Sequence, residues 1–368
     1  MDIKIFEKKY YIWGTGKKAK DNSRRYAEVL KKINLLGYID NDEEKWGSEF
    51  GGKLVFSPEI LKEQEEKYII VDNKFAKEIQ QQIEQEYKKY DCHVLGKEFF
   101  SRLQLIERYQ YSEEEEIKEI VEYLQYNEAD VFLHPFVQKY NDIITDIFFD
   151  EEKEMFFVIE NEKKMYFPRS YRTKERVIEY YRSICMEQDE KSPHRYLCNN
   201  DDIVEGAIVV DAGVAEGNFA LSIIDRVKKI YLFEPDKDWL EALQYTFEPY
   251  KEKVVIINKF LSNYCGGNTT TIDKELEGEQ INFLKMDIEG EEFYALKGAI
   301  NILNQSNNLK CAICTYHQEL AYEVITQFLK ENAIRTESSK GYMWFKYEEN
   351  NFRPTSLRRG IVYGEKKL

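Results

Sequence analysis

The sequence predicts an α/β protein of two Rossmann-like units, a smaller one first and a larger, seven-stranded one after it. Three observations predict it. Two glycine-rich turns, Gly14-Thr-Gly16 and Gly213–Gly217, each follow a short apolar strand and lead into a helix. Each is followed by a second apolar run that ends in an acid, Asp40 and Glu234. Beyond each, strand-length apolar runs alternate with helical stretches, the pattern of an open parallel sheet. At 368 residues the chain has room for two ordinary domains.

The first unit is read over 1–105. Tyr10-Tyr-Ile-Trp13 is a strand that enters G-x-G-x-x-A, and an amphipathic helix follows. Leu35–Asp40 is a second strand, Val55 begins a short element, and Ser57-Pro58-Glu59 starts a helix. Tyr68–Asp72 is a further strand, followed by a helix from about Phe75 to Tyr87. Gly14, Gly16 and Asp40 have the order of a nucleotide site, with Lys17 and Lys18 where a phosphate would sit. A lone G-x-G-x-x-A is a weak signal, and a purely structural turn is the equal alternative.

Residues 106–205 break the alternation and read as a helical and hairpin connector and lid. Ser112-Glu-Glu-Glu115 has capping-box spacing, and Ile117, Ile120, Val121 and Leu124 form one helical stripe. Met155–Ile159 and Met165–Phe167 read as a hairpin, and Arg176 to Cys185 as a helix.

The second unit is read over 206–368. Ile208-Val-Val210 is a strand buried on both faces, with a helix expected over Phe219 to Ile224. Ile230–Phe233, Val254–Ile257, Ile281–Leu284 and Cys311–Thr315 are the next strands. Tyr342–Tyr347 and Gly360–Gly364 read as a closing hairpin-like pair. Cys311 and Cys314 have C-x-x-C spacing, but on a strand that offset puts the thiols on opposite faces, which argues against a zinc or redox clip.

The turn after Val210 reads Asp211-x-Gly213-x-x-x-Gly217, with no Lys or Arg in it. A glycine turn followed by an acid about twenty residues on is the grammar of a bound nucleoside. Four-residue glycine spacing without a cation suits an uncharged linker between adenosine and an amino acid better than a diphosphate. The cofactor expected is therefore S-adenosyl-L-methionine, with Glu234 accepting from the ribose hydroxyls. A crossover turn with glycines needed only for packing is the alternative.

At this point the carboxy-terminal part resembles the FkbM family of methyltransferases, over roughly 160 residues, the size of one domain. Five motifs carry the resemblance, in order: Asp211–Gly217, Phe233-Glu234-Pro235, Thr271-Ile-Asp273, Lys285-x-Asp287-x-Glu289-Gly290-x-Glu292, and Tyr316-His317. Val214-Ala215-Glu216 departs from the family's usual Ala-Asn after the first glycine. The resemblance implies a class I methyltransferase fold and O-methylation of a sugar or glycan precursor. The amino-terminal segment likewise resembles small Rossmann-like domains fused to glycan-modifying enzymes. Cofactor contacts are expected from Asp211, Gly213, Glu216, Gly217, Asn218, Glu234, Pro235, Asp287 and Glu289.

A sugar hydroxyl is a poor nucleophile and benefits from a general base. His317 follows the fifth strand at the carboxyl edge; with an ordinary pKa near ~6.5 it would be mostly neutral at pH 7. His194, in a Ser-Pro-His turn ahead of the first strand, is the second candidate and Asp287 the third. Each histidine has an equal reading as a packed or turn residue. Asp287, Glu289 and Glu292 are acidic neighbours, but the motif has no histidine and no metal is expected.

Net charge is −15, against a nucleic-acid-binding face. No signal peptide and no transmembrane run are read, and six scattered cysteines fit a reduced, cytoplasmic protein. A homo-oligomer is among the partners the sequence permits. Two other functions remain open from sequence: a non-catalytic binding module that kept the fold, and a protein acting through NAD(P) or a nucleotide sugar in the first unit.

Overall fold

A computed structural model describes residues 3–141, 145–345 and 356–367. The chain divides into two compact units, 1–134 with 346–357, and 135–345 with 358–368. The stretch read as a connector, 106–205, is shared between them.

In the first unit the spatial order is Glu49–Phe50, Lys53–Phe56, Asn34–Ile39, Lys9–Trp13, Lys67–Ile70 and Cys92–Leu95. All neighbours are parallel except the first pair. Tyr10–Trp13 are buried because a strand at the centre of a parallel sheet is covered on both faces. The edge strand Cys92–Leu95 carries a histidine and is half-exposed, so no apolar run marks it in the sequence. The helix at Pro58–Lys62 is a short 3₁₀ turn, with Ser57 accepting from Glu59 N at 3.2 Å. The capping box at Ser112 does not form. Ser112 Oγ accepts from Glu114 N in a local turn, and the helix begins three residues later, at Glu115. Its stripe of Ile117, Ile120, Val121 and Leu124 is buried.

The second unit is built on a seven-stranded mixed sheet. Its order is Val254–Ile257, Val227–Phe233, Ala207–Ala212, Phe283–Met286, Leu309–Cys314, Ile361–Lys366 and Arg335–Ser338. The first five strands are parallel, and Ile361–Lys366 runs antiparallel to both its neighbours. Alternation along a strand sends Val209 into one apolar cluster and Val210 into the other, so each face has its own core. Cys311 and Cys314 divide between the same two clusters, on opposite faces as their spacing requires.

The closing pair differs from expectation. Gly360–Gly364 does close the sheet, but its outer partner is Arg335–Ser338, a polar strand. Met343–Trp344 lies outside the seven-stranded sheet, and Lys346 and Tyr347 lie outside the described residues. The expected hairpin is present as Met155–Glu160 and Lys163–Tyr166, extended by a third strand, Phe148–Asp150. The helix read at Arg176 runs over Lys174–Glu187, with Thr173 capping Arg176 N at 3.2 Å.

Candidate active site

Five loops at the carboxyl edge of the second sheet enclose a cavity of about 700 Å³. Its floor is the turn after Ala207–Ala212. Gly213 takes φ +77°, and a Cβ there would lie 1.7 Å from the Asp287 carbonyl oxygen. Gly217 takes φ +81°, and a Cβ would press on Phe247 and Leu243. Both glycines are thus required by protein packing, and Gly217 does not line the cavity. Ala215 and Glu289, which do line it, hold positive φ of 46° and 58°. For residues with a side chain such angles cost about 1–3 kcal/mol each and gather at functional sites.

Glu234 stands where the second strand ends. Its Oε2 accepts from Ala215 N and its Oε1 from Asp236 N, both at 2.8 Å. Burial raises its pKa, and the Asp236 and Ala215 N–H groups oppose that. Each oxygen keeps a further acceptor site, and Glu234 and Pro235 both line the cavity.

Asp211 has a different place from the one expected. It is fully buried, does not line the cavity, and lies opposite Lys285 in the register of their two parallel strands. Lys285 Nζ sits 2.9 Å from Asp211 Oδ1, donates to the Gly213 carbonyl, and lies 4.8 Å from the Tyr196 ring centroid. Burial alone would lower the lysine pKa; Asp211 and Asp287 outweigh it, so the ammonium stays charged.

Asp287 is the hub. Tyr196 OH donates to its Oδ2 at 2.8 Å and Tyr316 OH to its Oδ1 at 3.1 Å. His194 Nε2 lies 3.3 Å from Oδ2 and His317 Nε2 3.4 Å from Oδ1. Burial would raise its pKa. The His194 bond and the charges of His194, His317 and Lys285 overcome this and hold the carboxylate far below the usual range.

The two histidines differ. His194, Tyr196 and Tyr316 line the cavity; His317 does not. His317 lies behind Tyr316, ring centroids 4.0 Å apart, with Nδ1 3.0 Å from Glu292 Oε1. Glu292 in turn accepts from Ile288 N and Gly290 N, so it also fixes the loop after the strand. Burial lowers the His317 pKa, but Glu292 and Asp287 more than reverse it, and the net shift is upward. His317 is thus a buried member of an ion cluster whose pKa is shifted up from the ordinary value expected from sequence. The fold thus supplies the histidine that the acidic motif lacks. Asp287, Glu292 and His317 bring three potential ligand atoms within 4.8 Å, as do Asp287, His194 and Cys314. Asp287 and Glu292 already accept protein hydrogen bonds there.

Glu216 and Asn218 line the cavity as expected; so do residues the sequence reading passed over, namely Tyr180, Glu187 and Trp239. Glu216 accepts from Tyr180 OH at 2.8 Å, and burial pushes its carboxyl up to about 7. Burial raises Glu187 too. The cavity wall holds seven acids (Glu187, Glu216, Glu234, Asp236, Asp287, Glu289 and Glu291) against two lysines, Lys259 and Lys285. Such a wall suits a cation. The Thr271-Ile-Asp273 motif lies elsewhere: Asp273 caps the helix Ile300–Gln305 by accepting from Asn301 and Ile302 N–H.

The seven-stranded sheet and the glycine turn give the carboxy-terminal unit a Rossmann-like, methyltransferase-type fold. Residues 185–342 match the family model described as Methyltransferase FkbM domain, a span that includes His194. Residues 6–91 match one described as C2185-like, N-terminal. No curated protein matches the chain. Similar solved structures include methyltransferase FkbM from Methylobacillus flagellatus KT, at 14% identity over 97% of this chain and 89% of that one, TM-score 0.41. An rRNA methylase from Streptococcus thermophilus is 17% identical over 45% of this chain and 91% of that one, TM-score 0.32. SMU.1697c from Streptococcus mutans, solved in complex with SAH, is 17% identical over 45% and 90%, TM-score 0.31. Among the described residues no helix is long and apolar enough to cross a membrane.

Proposed function

We propose that the carboxy-terminal unit transfers a methyl group from S-adenosyl-L-methionine to a hydroxyl of a sugar or glycan precursor. The observation that carries the cofactor is the acid-walled cavity with Glu234 clamped at the ribose position. The residues fit the group: Glu234 offers lone pairs to two hydroxyls, and the surrounding carboxylates suit a sulfonium and an ammonium. When bound, the cofactor supplies an electrophilic methyl group for in-line displacement.

The chain's own part is alignment and proton transfer. His194 is the base in this reading, because it lines the cavity and its Nε2 lies 3.3 Å from Asp287 Oδ2, which orients the ring. Asp287 is held anionic too firmly to keep a proton itself, so it stabilises the imidazolium that forms as the acceptor hydroxyl loses its proton. Tyr196 and Tyr316 fix the carboxylate in that position. Support for a sugar acceptor comes from Phe260 and Tyr264, exposed aromatic rings that also line the cavity.

The test is calorimetry with S-adenosylhomocysteine, followed by turnover on hexose acceptors. Binding absent at millimolar ligand would end the cofactor assignment. His194→Gln should lower kcat roughly 10²-fold or more while leaving product affinity within about twofold. His317→Gln should act mainly on stability; the reverse pattern returns the base to His317.

A further inference from the structure

The amino-terminal unit holds a second cavity, of about 910 Å³, which methyl transfer leaves unused. We propose that it binds a nucleoside bearing a 5′-phosphate or diphosphate. This stands independently of the methyltransferase reading.

Position is the first ground. The chain winds from Lys9–Trp13 outward through Asn34–Ile39 to Lys53–Phe56 on one side. It then returns to Lys67–Ile70 and Cys92–Leu95 on the other. Open parallel sheets bind ligands outside the carboxyl ends of the strands, at the point where this winding reverses. The cavity lies there, lined by Trp13–Gly16 on one strand end and Asp72–Phe75 on the other.

The second ground is a shared construction. Asp40 Oδ2 accepts from Thr15 N and Asp40 Oδ1 from Asp42 N, each at 3.0 Å. Glu234 takes the same two donors in its own unit: one N–H from the glycine turn, and one from two residues on. Asp40 lines its cavity as Glu234 does, and its Oδ1 retains an acceptor site.

The third ground separates the two ligands. The turn beside Glu234 has no cation, whereas Lys17 and Lys18 open the helix Lys17–Arg25. That helix has no acid in its first turn and no side-chain cap. Lysines at the positive end of a helix oppose its dipole; a phosphate there reverses the sign and satisfies the first N–H groups. Lys18 leans toward Asp72 at 3.6 Å, leaving Lys17 the more available. Phe75, 53% exposed, offers a ring face to a base.

The test titrates the whole chain with ADP, UDP and NAD, and with adenosine and uridine, by calorimetry. At least one phosphorylated ligand should bind in the micromolar range, and its parent nucleoside about tenfold or more weaker. A response to UDP alone points to a nucleotide sugar, and one to ADP and NAD to a dinucleotide. Lys17→Gln with Lys18→Gln, both at exposed sites, should weaken the nucleotide about tenfold and leave the nucleoside unchanged. Glu234→Ala should leave nucleotide binding intact. Three outcomes overturn the proposal: no nucleotide bound at millimolar concentration, nucleoside and nucleotide bound equally, or nucleotide binding lost with Glu234.

Discussion

Lys285 and Asp211 form an ion pair in which the side chains are 3% and 0% exposed. Removing one partner leaves the other charge stranded where water cannot reach it. Lys285→Met should therefore destabilise the protein by about 3–5 kcal/mol, and adding Asp211→Asn should recover most of the loss, measured by denaturant unfolding. Glu216 makes the pH dependence. Its folded-state pKa of about 7 lies above the ordinary 4.5, so the folded chain holds a proton that the unfolded chain has shed. Stability from this group is whole below pH 4.5 and falls as pH rises to 7, by about 3 kcal/mol over the window. A cationic ligand beside Glu216 should expel that proton. Near pH 7, S-adenosylmethionine binding should then release protons, seen as a buffer-dependent enthalpy, and Glu216→Gln should abolish the release. The place of Glu234 at the cavity was legible in the sequence, because the acid ends an apolar strand next to its turn. Tyr180 and Glu187 were not, since they reach the cavity from a helix that precedes the sheet and follow no local pattern. Asp211 was misread as a cofactor contact: its motif position is visible, but whether it faces ligand or lysine is set by pairing with a strand some seventy residues away.

At the level of elements, the turn after the first strand of the second sheet is built around two close approaches. An added Cβ at Gly213 would overlap the Asp287 carbonyl, and the residue also holds a left-handed φ. Gly213→Ala should cost at least about 3 kcal/mol and displace the Asp287 backbone, so melting temperature and cofactor affinity should fall together. A variant that bound S-adenosylhomocysteine normally would show that the turn adapts. The parallel strands were largely legible because burial on both faces makes them continuous apolar runs, as in Ile208–Val210 and Tyr68–Ile70. Arg335–Ser338 was illegible for the same reason reversed: an edge strand with polar side chains carries no such run. The Ser112 capping box failed because spacing alone does not decide which residue begins the helix.

Each unit has its own apolar core, one around Tyr11, Ile39 and Ile69, the other on both faces of the seven-stranded sheet. Calorimetric unfolding should accordingly resolve two transitions. S-adenosylhomocysteine at 100 times its Kd should stabilise one of them by about 2.7 kcal/mol and leave the other in place. A single transition that moved as a whole would mean that the cores melt together. The sequence carried the two-unit plan through its duplicated strand, glycine turn and acid; it did not carry the division of 106–205, where apolar stripes do not say which core they join. The antiparallel insertion of Ile361–Lys366 bears on how the chain is made. This strand separates Leu309–Cys314 from Arg335–Ser338, yet it is synthesised after both. While a ribosome is still adding these residues, the strand that leads to Tyr316 presents a bare hydrogen-bonding edge, and Arg335–Ser338 has nowhere to dock. The second sheet therefore closes only after residues 361–366 have been made, and until then the nascent chain exposes an edge open to pairing with its neighbours.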